Sequence, residues 1–371
     1  MTTLSPRDAA AAASVAYETR TDGQNVYRAA ANHKSLTDKF DFENLAKFKS
    51  KSGAFFKVTS GFGYVVNGKG NNKDDVLIAI RGTVTKADWL TDGNIGLQVS
   101  STGKMVHAGF NRAFREIEQQ IAPIVPSGKN IHFCGHSLGG ALATLGSDWA
   151  SQKNGGSVNL YTFGSPRVGF KSFADSVTTK LGSGDIYRVH RSTDAVPMIP
   201  IWPFVHVPQP GKTCKLASEG FYSPLAAHSM DNYLNSVRKY EWSSLVTPEE
   251  IQSSPGKFDI TSLQGIKSIG TYALGLLGKA IGYILKAAGV GVQGGLIVGI
   301  SVLDMLSMAL EKAAKVSAEI AGWVKLLIEK IISITGAGIA KIGDLTANFI
   351  RWVFQLLMSS IRRTVSLALV E

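Results

Sequence analysis

Five consecutive residues, Gly135-His136-Ser137-Leu138-Gly139, have the types and spacing that nucleophilic catalysis needs. The residues before them, Ile131-His132-Phe133-Cys134, read as a strand, and Gly140-Ala141-Leu142-Ala143 after them read as a helix. A serine on so sharp a strand-to-helix turn sits in a strained backbone with its Oγ exposed above the sheet edge. The glycines two before and two after it keep side chains clear where strand and helix nearly touch. The helix also aims its N-terminus at the serine, where backbone N–H groups can hold a developing oxyanion. Gly-x-Ser-x-Gly alone is a common string. Its strand-turn-helix context favours a nucleophile over a plain turn.

A serine hydroxyl becomes nucleophilic when a histidine takes its proton and a carboxylate fixes that histidine's tautomer. In α/β-hydrolase architecture the three follow in the order Ser, Asp or Glu, His. Residues 186–190 read as a strand, and Asp194 lies just past its end, where catalytic carboxylates of parallel sheets are found. An Asp there could also cap a turn. Of the seven histidines, His33, His107, His132, His136 and His190 precede Asp194, and His136 is also the elbow's second residue, pointing away from the nucleophile. His206 and His228 remain. His206 alternates with apolar residues in a strand-like segment, where a structural histidine is the default. His228 opens a helix-like segment, on a loop able to reach the sheet top, and is the favoured base.

The chain resembles the class 3 (fungal-type) lipases of the α/β-hydrolase superfamily over roughly residues 15–240. Val76-Leu77-Ile78-Ala79-Ile80-Arg81-Gly82-Thr83 is similar to that family's strand ending in Arg-Gly-Ser/Thr, and Val106-His107-Ala108-Gly109-Phe110 to its His-x-Gly-Phe segment. The elbow follows, then Tyr161-Thr162-Phe163-Gly164-Ser165-Pro166-Arg167-Val168-Gly169, then Asp194-Ala195-Val196-Pro197, and last His228 with a nearby aromatic. The resemblance implies a triad of Ser137, Asp194 and His228, with oxyanion donors from Thr83 and the backbone N–H of Leu138. It assigns His206 to a non-catalytic family histidine. Lipases of the family carry an apolar lid helix after the Arg-Gly-Ser segment. Here Val84-Thr85-Lys86-Ala87-Asp88-Trp89-Leu90-Thr91-Asp92-Gly93 is mostly polar, which fits an esterase or phospholipase as well as a triglyceride lipase.

The 371 residues exceed one such domain, and a hydrophobic content of 44% is ordinary for a globular protein. A net charge of +11 points to an anionic partner. No nucleic-acid-binding motif is recognisable and the basic residues are scattered, so a membrane surface is favoured over nucleic acid. Two cysteines, Cys134 and Cys214, make neither a disulfide framework nor a zinc site, and the proposed chemistry calls for no metal or cofactor. Ser5, Pro6 and Asp8 read as the N-cap, first and third positions of a helix rather than as a cleavable signal peptide. Export by a leaderless route from the cytoplasm is the corresponding expectation.

Strand patterns at 63–66, 76–81, 131–134, 158–163 and 186–190 alternate with helix patterns at 109–122, 138–152 and 170–181. That alternation predicts a largely parallel α/β sheet. The expected organisation is a hydrolase domain over 1–243, a Pro/Ser/Gly-containing linker over 244–258, and an all-helical hydrophobic domain over 259–371. In the last part basic residues outnumber acidic ones. No charge falls between Lys286 and Asp304, and glycines recur every fourth residue at Gly278 and Gly282 and at Gly291, Gly295 and Gly299. Small residues at that interval let helices approach closely in a membrane. Leu303, Leu306, Leu310, Ala313, Ile320, Val324, Leu327 and Ile331 predict an amphipathic helix that could lie on a bilayer or pack on protein.

The expected function is a serine carboxylic-ester hydrolase cleaving lipid or phospholipid esters. Two alternatives stand beside it: a membrane-permeabilising protein whose C-terminal helices are the active principle, and an esterase on soluble esters. A hydrolase joined to a membrane-seeking tail also resembles antibacterial lipase effectors, including those delivered by type VI secretion. That resemblance implies a cognate immunity protein and a chaperone as partners.

Overall fold

A computed structural model of the chain describes residues 3–20, 25–50, 60–83, 96–153, 155–209, 211–248, 258–292, 300–338 and 342–369. Helix α1 (Pro6–Val15) starts as its sequence dictates, with proline at the first position and the Asp8 N–H donating to Ser5 Oγ at 3.1 Å. Two short helices follow, α2 (Asn25–Ala31) and α3 (Lys34–Lys39).

The strands in chain order are β1 (Ala46–Ser50), β2 (Ser60–Asn67), β3 (Asp75–Ile80), β4 (Leu97–Val99), β5 (Met105–His107), β6 (Asn130–His136), β7 (Val158–Phe163), β8 (Gly169–Phe170), β9 (Ile186–Arg191), β10 (Phe204–Val205), β11 (Lys212–Leu216) and β12 (Val246–Pro248). Eight of them form one sheet in the order β1-β2-β3-β6-β7-β9-β11-β12. Its centre, β3 through β11, is parallel, and the antiparallel members are at the edges. The remaining four make a small antiparallel sheet, β10-β8-β5-β4. The architecture is the expected α/β-hydrolase arrangement with a C-terminal helical region.

Successive side chains of a strand point to opposite faces, and the buried residues sort accordingly. Val76, Ile78 and Ile80 of β3 join one core and Leu77 and Ala79 the other. The second core holds Ala9 to Ala13 of α1, all fully buried. An alanine run has no bulk to hold a helix away from a sheet, so α1 lies close against it. The first core is covered by α4 (Ala108–Ile121), α5 (Leu138–Lys153) and α6 (Lys171–Leu181), which match the three helix patterns in the sequence. After the sheet come α7 (Pro224–His228), α8 (Met230–Val237) and α9 (Trp242–Leu245).

Four longer helices close the chain: α10 (Thr271–Ala287), α11 (Val302–Ala314), α12 (Ala318–Thr335) and α13 (Ala347–Leu369). Their buried residues belong to the same hydrophobic core as β3 and α5. Helix α13 packs against α7, and α10 against the turn at Val196–Met198. Three sequence expectations change here. The stripe from Leu303 to Ile331 is buried, but on two helices rather than the one expected, because Ser317 caps a new start by accepting the Ile320 N–H at 3.2 Å. The segment read as a linker begins inside the fold: Val246–Pro248 pairs with β11 as the sheet's edge strand, and 249–257 lie outside the described residues. Gly278 and Gly282 face a protein side chain, Trp202. Gly295 and Gly299 lie outside the described residues, as does the lid segment 84–93. Among the described residues no helix is long and apolar enough to cross a membrane.

Candidate active site

Ser137 follows the last residue of β6 and precedes the first of α5. It is the one non-glycine residue with positive φ among those described, at 56°. The elbow is closed by contacts only glycine permits. A Cβ on Gly135 would overlap the Gly139 carbonyl, and one on Gly140 would come within 2.6 Å of Ser165 Cβ. The strain is therefore held by tight packing on both sides of the serine.

His228 ends α7 and Asp194 follows β9. His228 Nε2 lies 2.9 Å from Ser137 Oγ and His228 Nδ1 lies 2.8 Å from Asp194 Oδ2. A carboxylate offers only lone pairs, so the imidazole proton sits on Nδ1 and Nε2 is free to accept the serine proton. Asp194 is fully buried, and its charge is met by three donors. Oδ2 accepts from His228 and from the Tyr233 hydroxyl at 2.8 Å, and Oδ1 accepts the Val196 N–H at 3.0 Å. Burial, and then the Asp194 charge, push the Tyr233 phenol well above its ordinary value, so it remains a donor. Gly164 gives the carboxylate room: its φ is 55°, and a Cβ there would stand 2.8 Å from Asp194 Oδ2.

A second chain of bonds runs behind the base. His136 Nε2 is 2.7 Å from the His228 carbonyl and must donate to it, so Nδ1 accepts from the Tyr17 hydroxyl at 2.6 Å. Burial, and then the proximity of His228, hold His136 well below the usual histidine pKa and keep it neutral. The elbow's second residue thus points away from the nucleophile, as the sequence suggests, and braces the backbone of the base.

The oxyanion side is built from β3 and the start of α5. As the first residue of its helix, Leu138 has a backbone N–H with no intrahelical acceptor. Thr83 is buried two residues after Arg81, whose Nε and guanidinium nitrogen donate to the Gly61 and Gly82 carbonyls, each at 2.7 Å. A Cβ on Gly82 would stand 2.9 Å from Ser137 Cβ, so this turn passes directly beside the nucleophile. His206 lies apart from the relay. Burial, and then the charges of Arg188 and Arg167, push its pKa well below the ordinary value. Ser137 is 1% exposed and His228 2%, so the relay is closed to bulk water in this conformation.

Residues 77–204 match the family described as Lipase (class 3). The chain carries a class 3 lipase domain. It is 36% identical over 138 residues to the secreted mono- and diacylglycerol lipase 1 of Fusarium solani, a match covering 35% of this chain and 40% of that protein. It is 26% identical over 246 residues to phospholipase A1-II 1 of Oryza sativa subsp. indica, covering 55% of this chain and 60% of that one. The solved lipase of Rhizopus microsporus var. chinensis aligns with a TM-score of 0.43 and 20% identity, over 65% of this chain and 88% of that one. The chain thus spans less than two thirds of the length of these curated relatives.

Of the five residues singled out in the sequence, Ser137 and Leu138 form the elbow, His228 reaches Ser137, Asp194 reaches His228, and Thr83 follows Gly82, which passes beside the nucleophile. Sequence reasoning missed the residues that hold them. Tyr233 was visible only as an aromatic near His228. Arg191, buried beneath it, donates to the Asn232 carbonyl at 2.9 Å and so ties the end of β9 to α8. Arg167 donates to the Met198 and Pro200 carbonyls at 2.7 and 3.0 Å and fixes the loop after Asp194.

Proposed function

We propose that this chain hydrolyses carboxylic esters of acyl lipids through an acyl-enzyme on Ser137. The observation that carries this reading is the unbroken relay from Ser137 Oγ to His228 to Asp194, at 2.9 and 2.8 Å. His228 Nε2 takes the serine proton as Oγ attacks the acyl carbonyl, and Asp194 stabilises the imidazolium that forms. The Leu138 N–H and Thr83 stabilise the tetrahedral oxyanion. His228 then passes its proton to the departing alcohol oxygen. Water, deprotonated by the same imidazole, attacks the acyl-serine and releases a fatty acid, regenerating Ser137.

Lipid esters are the preferred substrate class because the similar proteins are a mono- and diacylglycerol lipase and a phospholipase A1. A membrane surface as the place of action is supported by the net charge of +11. The test is fatty-acid release from diacylglycerol emulsions and from phospholipid vesicles by the wild type and Ser137→Ala. Release by the wild type should fall by about 10⁴-fold or more in the variant. No release from either lipid, with short soluble esters still cleaved, would sink the lipid reading. The proposal extends to an antibacterial effector with a cognate immunity protein, supported by the joining of a hydrolase to a basic apolar helical region. Growth arrest when the protein is directed to the periplasm, absent with Ser137→Ala, is its test.

A further inference from the structure

Between α10 and the small sheet lies a cleft of about 550 Å³ that the relay does not use. Its size falls within the range of small-molecule sites. The floor is apolar, with Phe170, Trp202 and Val205 from the lipase domain facing Tyr283 of α10. The cleft exists because α10 is bare there. Gly278 and Gly282 fall on one helix face, and Trp202 fills only part of the space they leave. A Cβ on Gly282 would meet the Trp202 indole at 3.1 Å, but one on Gly278 would meet nothing closer than 3.9 Å.

The charge of the lining has one sign. Lys279 and Lys286 border the cleft from the same helix, two turns or about 10 Å apart, and among the described residues no carboxylate lines it. Neither lysine has an ion-pair partner among the described residues, whereas Lys171, also in the lining, is held by Asp175 at 2.7 Å. Two unpaired ammonium groups over an aromatic floor match a ligand with one apolar chain and an anionic head. Each ammonium can form a charge-assisted hydrogen bond that a neutral ligand cannot return.

We propose that this cleft binds a long-chain fatty-acid anion. The chain lies along Phe170, Trp202 and Val205 over the glycine face of α10, and the carboxylate meets Lys279 and Lys286. The choice of a fatty acid as occupant rests on the hydrolysis proposed above, which releases one. The binding itself does not require turnover.

The test uses the full chain carrying Ser137→Ala, with brominated stearate added below its micelle concentration. Tryptophan fluorescence should be quenched saturably, and Trp202→Phe in the same background should remove most of the quenching. Lys279→Gln with Lys286→Gln should weaken binding about tenfold by titration calorimetry, while leaving the affinity for the matching neutral alcohol unchanged. Gly278→Leu should abolish binding by filling the cleft, with circular dichroism showing that the variant is folded. Quenching that survives both Trp202→Phe and Gly278→Leu, or equal loss of acid and alcohol in the lysine variant, overturns the site. Tighter binding of brominated lysophosphatidylglycerol than of stearate overturns the fatty acid in favour of a lipid headgroup. Every arm uses inactive protein and supplied ligand, so its failure is separable from a failure of the hydrolysis reading, which is judged by fatty-acid release.

Discussion

Tyr233 and His228 donate to the same oxygen of Asp194, each at 2.8 Å. The phenol also accepts the Arg191 backbone N–H at 3.2 Å, so one hydroxyl joins the end of β9 to the carboxylate that orients the base. Such a bond sets where the carboxylate points, and through it where Nε2 meets the serine.

Tyr233→Phe removes that donor and leaves the Arg191 N–H unpaired in a buried site. Loss of a buried partner costs about 1–3 kcal/mol, so the variant should remain folded but melt earlier. Ester hydrolysis should lose kcat by about tenfold, with KM nearly unchanged, because the substrate does not touch Tyr233. A full-rate variant in a steady-state assay would make the tyrosine a packing residue only.

Gly164→Ala is the sharper probe of the same carboxylate. The position needs glycine for its φ of 55°, and its added methyl would stand 2.8 Å from Asp194 Oδ2 and 3.1 Å from His228 Nδ1. Either group must shift, and misplacement by about 1 Å can cost about 10²-fold in rate. We expect a loss of that size in kcat/KM on a soluble ester, with far-ultraviolet circular dichroism unchanged. Wild-type activity in Gly164→Ala would show that the Asp194–His228 geometry is not set at this point.

The site's chemistry was legible in the sequence because the elbow is local: strand, glycines, serine and helix are contiguous, and Asp194 and His228 follow in fixed order. Tyr233 was not, because its bond to Asp194 spans 39 residues and depends on how α8 packs. The central strands β3, β6 and β7 show as apolar runs since both their faces are buried. Strands β8 and β10 have two residues each, too few for any periodicity to show. The C-terminal helices were the hardest to place. An apolar stripe at helical spacing suits a bilayer and a protein core equally, and the packing of α13 on α7 and of α10 near Val196–Met198 depends on contacts far apart in the chain.

Acid should destabilise the fold from near neutrality downward. Burial is the first cause holding His136, His190 and His206 well below the ordinary 6.5. Below that pH the unfolded chain takes up protons that the folded chain refuses, so the contribution is complete above 6.5 and is lost as pH falls. Each such histidine can add a slope of up to about 1.4 kcal/mol per pH unit. A second loss follows at lower pH. Burial alone would raise Asp75, but the His132 ring 3.7 Å away and hydrogen bonds from Asn72 and Asn130 hold it at about 2, so its stabilisation fades as pH falls from 3.8 toward that value. Denaturant unfolding between pH 7 and pH 5.5 should show the first loss, and His206→Asn should make it shallower. A flat profile over that range would mean that the buried histidines can charge in place.

The C-terminal helices should unfold together with the lipase domain rather than ahead of it. One hydrophobic core runs from Ile78 and Phe133 through Leu277 and Leu306 to Val353, Leu357 and Ile361. Helix α13 lies against α7, whose last residue is His228, so the position of the base depends on that packing. Leu357 is fully buried, and Leu357→Ala should cost about 2–5 kcal/mol through lost burial and the cavity left behind. Calorimetry should show a single transition in both proteins, moved to lower temperature in the variant, with calorimetric and van't Hoff enthalpies in agreement. Two resolved transitions, with only the first moved by Leu357→Ala and ester hydrolysis retained between them, would show that the helical region is a separate unit and that the base is held by the hydrolase alone.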